Sequence, residues 1–329
     1  MTAAPTRAAS RTATLSLVAA AALWGGMYVV SAGTFDRIPP ITLCVLRLVV
    51  GLAVLLVAFR GRIGWGRAPS RRVVAAGAVV AVTMVLQFQG TSLTGAAEAA
   101  ILTTTTPAFV LLFGALLEGE RIRRVAWVGV AVALAGVVVL ALRSAGAEAA
   151  AGAALTTSAA DDLVRATASR LTGDLMLVGA AATWALFSSI GRPLVAAVGA
   201  FRAITQATAV ALLLLLPLVP LELAGQTLPP LEPATIGAVL YLGIGSTAIG
   251  WSLWYRGYAA APPAVSAAAF FAQPVVGATL GVLVLGEVLG PAFLAGSALI
   301  AAGVVGIGLA AGADHRRDDA SSLADEPVP

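Results

Sequence analysis

GTSLTGAAEAAILTTTTPAFVLLFGALLEGERIRRVAWVGVAVALAGVVVLAL, residues 90–142, lies without a gap over GYAAAPPAVSAAAFFAQPVVGATLGVLVLGEVLGPAFLAGSALIAAGVVGIGL, residues 257–309, at a constant offset of 167 residues. Pro107 coincides with Pro274, Gly114 with Gly281, Gly119-Glu120 with Gly286-Glu287, and Gly129 with Gly296. Ala135-Gly136-Val137-Val138 likewise meets Ala302-Gly303-Val304-Val305. Both copies are apolar enough to lie in lipid. A repeated half inside a hydrophobic chain is one way in which membrane proteins build a central cavity, placed at the seam between halves.

The rest of the chain has the same character. Of 329 residues, 59% are apolar and 11% charged, far outside soluble composition. Crossing the hydrocarbon core takes about 20 apolar residues at about 1.5 Å each. Ten runs of that kind emerge: Leu15–Thr34, Ile41–Phe59, Val73–Leu93, Ala96–Leu117, Val125–Leu142, Leu175–Ile190, Ala203–Val219, Ala234–Leu253, Val265–Leu285 and Ala292–Ala311. The first follows Arg7 and Arg11 as a signal peptide would, but its Trp24 has a counterpart in Trp184, so it is read as a span. The expected fold is an all-α integral membrane protein of ten transmembrane helices.

All 20 basic residues are arginine, which excludes a Walker-type phosphate lysine and a lysine Schiff base. Fifteen arginines fall on the side of the two termini and four on the other, namely Arg37, Arg143, Arg165 and Arg170. Both termini are therefore expected in the cytoplasm, and the bias removes any need for a nucleic-acid partner to explain the net charge of +4. Cys44 is the single cysteine and His315 the single histidine, in a polar tail. Neither points to a metal, and no cofactor is expected.

Five spans per half is an odd number, so the second half enters the membrane from the opposite face and the repeats are inverted. The resulting division is a cytoplasmic tail over 1–14, a first five-helix repeat over 15–142 and an extracytoplasmic linker over 143–172, either loose or a short interfacial helix. A second repeat covers 173–311, and a disordered cytoplasmic tail covers 312–329. Trp24 to Gly90 is 66 residues and Trp184 to Gly257 is 73, so the second half carries seven more. The proline-rich loop Pro220–Pro233 is the expected place for them.

Pro107 and Pro274 fall about halfway along matched spans, where each removes a helix hydrogen bond and frees the carbonyl four residues earlier, of Thr103 and Phe270. A freed carbonyl in lipid needs a neighbour, water or a ligand, so the matched breaks point to a cavity; an ordinary packing kink is the alternative. Before Pro107 stand four threonines, Thr103 and Thr104 first, and before Pro274 stand Phe270, Phe271, Ala272 and Gln273. These suit a hydrogen-bonding wall facing an aromatic one, unless the threonines bond back to helical carbonyls. Trp24, Tyr28, Trp184, Ser188 and Trp251 add aromatic and hydroxyl groups, while Trp254 and Tyr255 read as interfacial anchors. Gln87 and Gln89, two apart on a helix, cannot both face the cavity. Arg47 and Glu98 are the ionisable groups placed within the outer half of the membrane, and could pair across a vestibule. Glu98 alternatively stabilises its helix N-terminus. Glu120 and Glu287 are read as structural, favouring the N-terminus of the helix that follows each. The spacings Gly129 to Gly136 and Gly296 to Gly303 mark close helix contacts.

Ala22-Leu23-Trp24-Gly25-Gly26, Pro39-Pro40 followed by Leu46-Arg47, and Pro107 followed by Gly119-Glu120 together resemble the EamA-type branch of the drug/metabolite transporter superfamily. Pro274 with Gly286-Glu287 repeats the last motif. The resemblance covers residues 15 to 311. It implies a ten-helix inner-membrane carrier, often an exporter of amino acids, other metabolites or drugs, running without ATP. Expected partners are a small-molecule metabolite and the bilayer, with proton coupling resting on Glu98 and a homodimer left open. Two alternatives stand beside it: a membrane-embedded enzyme acting on a lipid or isoprenoid, and a non-transporting scaffold.

Overall fold

The computed structural model describes residues 7–58, 70–119, 124–152, 157–226, 228–260 and 269–324, and the regular elements among them are all helices. The first half holds α1 (Arg7–Ala32), α2 (Pro40–Ala58), α3 (Arg71–Thr94), α4 (Ala96–Leu102), a 3-10 turn (Thr103–Thr105), α5 (Thr106–Glu118) and α6 (Arg124–Gly152). The rest holds α7 (Thr157–Val198), α8 (Ala200–Leu215), α9 (Leu218–Glu222), α10 (Pro233–Leu240), a π-helix (Tyr241–Ile249), α11 (Gly250–Ala260), α12 (Ala272–Leu285) and α13 (Pro291–Ala324).

Among the described residues, seven stretches are long and apolar enough to cross a membrane: Arg11–Ala32, Pro40–Ala58, Arg71–Thr94, Ala96–Leu117, Arg124–Leu142, Arg165–Gly191 and Pro233–Trp254. Three shorter apolar helices, Phe201–Leu215, Ala272–Leu285 and Pro291–Ile307, accompany them. Large apolar side chains such as Leu15, Val57, Val128, Leu175, Leu213 and Leu283 lie exposed on the outside of the bundle, the surface expected of a multi-pass membrane protein. Among the described residues the regular structure is all helical, with several helices long and apolar enough to cross a membrane.

Of the two readings of the linker, the described part is helix: α6 runs on to Gly152 and α7 begins at Thr157, because the segment is alanine-rich and alanine is the strongest helix former. Two other expectations change. The tail expected to be disordered continues α13 to Ala324. No glycine or proline interrupts residues 314–324, and extending an existing helix is far easier than nucleating one. The seventh apolar run ends at Leu215 rather than Val219, since Pro217 follows and Val219 belongs to α9. The start of the ninth run, 265–268, lies outside the described residues.

Helix contacts recur at fixed offsets. A Cβ on Gly90 would meet Leu177 and the carbonyl of Gly173, and one on Gly257 would meet Leu17 and the carbonyl of Ala13. The two glycines are 167 apart and their partners 160. Gly77 against Val210 and the Ala207 carbonyl repeats as Gly243 against Val50 and the Arg47 carbonyl, with the glycines now 166 apart. Six of the seven extra residues therefore enter between Val210 and Gly243, a stretch that contains the proline-rich loop. The seventh enters between Gly243 and Gly257, where the π-helix lies. A π-helix is an α-helix that has taken in a residue, so the odd residue is absorbed inside a helix.

α6 and α13 make the most extensive helix–helix contact among the described residues. Gly129 lies against Gly303 and Gly136 against Gly296, so the two run antiparallel with their backbones nearly touching. The glycine spacings read from sequence mark this seam.

Candidate functional site

A cavity lies where α1, α3, α7 and α11 converge on the 3-10 turn and the start of α12. Trp24, Tyr28, Gln87, Thr103, Trp184, Trp251, Phe270, Gln273 and Arg47 line it, together with Met27, Thr83, Met84, Thr106, Ala180 and Ala181. Its volume is about 50 Å³, room for water but not for a metabolite, whose sites start near ~300 Å³. Admitting a ligand requires helices or side chains to move.

The hydroxyl of Thr103 is the hub of the polar wall. It donates to the Ala99 carbonyl at 2.7 Å and accepts from Gln273 Nε2 at 3.0 Å. Its 2.7 Å contact with the Tyr28 hydroxyl must then be donated by Tyr28, because its single proton is already used. Tyr28 in turn accepts from Gln87 Nε2 at 2.7 Å. Four side chains from α1, α3, the 3-10 turn and α12 thus form one directed chain. Gln89 is half-buried and does not line the cavity.

All four threonines bond back to the helix: Thr103 to Ala99, Thr104 to Ala100, Thr105 to Leu102 and Thr106 to Thr103. The carbonyl freed by Pro107 is satisfied within the turn, by the Thr106 hydroxyl at 2.8 Å and the Thr106 amide. Pro107 consequently sits in the first turn of α5, where its missing N–H costs nothing. Pro274 is buried as the third residue of α12. Both prolines start a helical segment after a break rather than kinking a continuous one. Neither lines the cavity, nor does Thr104.

The opposite wall is aromatic. Trp24 and Trp184 meet edge to face at 6.4 Å, and Trp184 lies 6.1 Å from Trp251. Trp254 packs 5.1 Å from Trp24 and 5.2 Å from Phe270, so it belongs to this cluster and is not an interfacial anchor. Trp24 is fixed by its indole N–H, which donates to the Ser246 carbonyl inside the π-helix at 2.9 Å. The Tyr255 side chain lies outside the described residues. Ser188 is exposed, bonded to its own helix at Trp184, and stands apart from the cavity.

Arg47 and Glu98 do not pair. Arg47 is 1% exposed, donates from Nε to Thr247 at 2.7 Å and lies over the Phe88 ring at 5.5 Å. Its Nη1 has no hydrogen-bond partner, and no carboxylate stands within ion-pair distance of it among the described residues. Burying such a charge costs several kcal/mol before compensation. Glu98 is bridged by Arg170 at 3.2 Å, and Arg170 also reaches the Thr94 carbonyl. Depth along two separate helices carried no information about their lateral distance.

Glu287 does not serve the helix that follows it. Its two oxygens accept the amides of Ala96 and Ala97, at 2.6 and 2.8 Å, at the start of α4 in the other half. Glu222 does the same for Ile41 and Thr42 at the start of α2. Both ties, with Glu98–Arg170 and the Arg37–Glu232 pair at 2.7 Å, gather at one end of the bundle. Glu120 lies outside the described residues. Several of the lining residues that the sequence reading missed were within its reach. Ala180 and Ala181 stand one turn before Trp184, and Thr83 and Met84 one turn before Gln87.

Thr103→Val keeps the shape of the hub and removes its oxygen. Gln273 and Tyr28 then lose a buried partner each, so stability should fall by about 2 kcal/mol, read as a lower thermal unfolding midpoint in detergent. Thr104→Val, which breaks only a local bond, should cost visibly less.

Comparison with known proteins gives the context. A probable terminal-alkyne amino-acid exporter of Streptantibioticus cattleyicolor is 29% identical over 210 residues, 64% of this chain and 63% of that protein. The match thus spans under two thirds of that relative's length. The uncharacterized transporter YetK of Bacillus subtilis is 26% identical over 278 residues, covering 83% of this chain and 79% of that protein. A solved crystal structure of a protein aligns over 92% of this chain and 99% of its own with a TM-score of 0.61 at 24% identity, a likeness of fold. The description "EamA-like transporter family" matches twice, over residues 11–142 and 171–309. The chain belongs to the EamA-like transporter family.

Proposed function

We propose that the protein is a secondary transporter that exports small amphipathic metabolites by alternating access, using ten spans arranged as two inverted five-helix repeats. The observation that carries it is the single cavity wall built from both halves, with Tyr28, Gln87 and Thr103 from one and Gln273 from the other in one hydrogen-bonded chain. Inversion is supported by the recurring contacts and by the Gly129–Gly303 and Gly136–Gly296 pairs. The 167-residue offset exchanges those two pairs, as a two-fold axis through the seam would. Trp24 and Trp184, counterparts in the two halves, touch at the cavity.

Four polar ties gather at one bundle end, and the arginine distribution supports placing that side at the exterior with both termini in the cytoplasm. Export of an amino-acid-like solute is supported by the name of the Streptantibioticus cattleyicolor relative. Glu98, tied to Arg170 away from the cavity, is the candidate for proton coupling.

Proteoliposomes loaded with a panel of radiolabelled amino acids and other metabolites test the function, with and without a pH gradient. Efflux of at least one solute above that from empty liposomes is expected. A panel in which nothing moves would refute it.

A further inference from the structure

We propose that Arg47 is the anion-binding subsite of the cavity and that the ligand carries a carboxylate on an apolar body. The inference rests on the transporter function above and narrows it to a substrate class.

Arg47 is a fully buried cation whose Nη1 is unsatisfied, while its Nε is held by Thr247 and its plane is propped on Phe88. A guanidinium fixed at one edge and unpaired at another keeps donors free for a carboxylate, whose geometry its fork matches. Among the described residues none of those lining the cavity is acidic, so they offer a positive charge with no carboxylate beside it. A charge kept within a membrane protein without a partner is more readily explained if the partner arrives with the ligand.

Contacts recurring between the halves place Ala207 where Arg47 stands in the first half, since Gly243 lies on the Arg47 carbonyl as Gly77 lies on that of Ala207. The charge therefore does not belong to the shared frame. Across the cavity stand Trp24, Trp184, Trp251 and Phe270, faces that hold an apolar body and also accept an ammonium through their π clouds. A free carboxylic acid and an amino acid share this chemistry, and the test separates them.

Four of the six tryptophans stand at or beside the cavity, so quenching of tryptophan fluorescence reports binding to the purified full chain without transport. The probes are L-leucine, L-leucinamide, 4-methylpentanoate and 4-methylpentanamide, with the corresponding set on the L-phenylalanine skeleton. Each acid should bind at least tenfold more tightly than its amide. If this preference holds only for probes with an α-amino group, the ligand is an amino acid; if it holds without one, a simple carboxylic acid suffices. Arg47→Gln should bring the acid-to-amide ratio to about one. Thr247→Val, which removes the tether and keeps the charge, should preserve the preference and so separates charge recognition from scaffolding. Equal binding of acids and amides by the wild-type chain would overturn the subsite, as would silence from all eight probes. If a solute without an anionic group then moves in the proteoliposome panel, transport stands and the subsite alone fails.

Discussion

Gly303→Val should lower the thermal unfolding midpoint of the detergent-solubilised protein by roughly 10 °C, the shift expected for a loss of about 3 kcal/mol in a chain of this size. A side chain at position 303 would run into the backbone of α6 at Gly129 and Ala133. Backbone cannot rotate away as a side-chain tip can, so the helices must separate along the seam. A Cβ on Gly129 or Gly136 would meet backbone in the same manner, 2.7 Å from the Gly303 carbonyl and 2.6 Å from the Gly296 carbonyl respectively. Valine at either should have a comparable effect. Lipid tails are as apolar as valine, so nothing but close packing holds two such helices together, and a lost ångström of approach is not recovered elsewhere. Gly237→Ala provides the contrast. Its Cβ would meet nothing within 4 Å inside α10, and alanine is the better helix former, so stability should hold or rise slightly. If Gly303→Val melts with the wild type, the seam is looser than it stands here.

The seam was legible because the sequence prints it twice: in each copy two glycines seven residues apart, Gly129 with Gly136 and Gly296 with Gly303, mark one face of a helix. Trp24, Tyr28, Gln87, Thr103, Gln273 and Phe270 were also found, because a polar or aromatic group in an apolar run is conspicuous. Other features depend on partners far away in the chain. Glu287 serves amides 190 and 191 residues earlier, and no local pattern distinguishes that from capping its own following helix. Arg47 was singled out as an intramembrane charge and paired with Glu98, which the structure does not do, since sequence gives depth along a helix but not which helices are neighbours. The π-helix is invisible for a related reason. Inserting one residue into an apolar run leaves its composition unchanged, and only the shift in contact offset from 166 to 167 discloses it. Helix ends failed where composition was ambiguous, as in the alanine-rich linker, which favours helix by propensity although its polar residues suggest a loose connection.

Glu287→Ala should loosen the tied end of the bundle and expose the start of α4. The carboxylate supplies two charge-assisted bonds to the first turn of α4, where amides have no partner within their own helix. Losing both should cost about 3 kcal/mol, and Glu287→Gln, which keeps one acceptor oxygen, about half of that. The surrounding backbone is shaped to receive this group. Gly95 adopts φ +113°, which side chains rarely tolerate, and a Cβ there would stand 2.7 Å from Glu287 Oε1. Gly281 leaves room for the other oxygen. Ala97 is 2% exposed beneath this lock, and the native Cys44 is buried. A cysteine placed at Ala97 should thus react slowly with a membrane-impermeant maleimide while Glu287 is present, and several-fold faster once it is alanine. Glu222→Ala, which frees the start of α2 in the same way, should raise labelling less at Ala97, because its tie lies on another helix. If both variants label at the wild-type rate while the unfolding midpoint falls, Glu287 holds α4 together without closing the path to the cavity, and the gate must be sought at Arg170 and Glu98 instead.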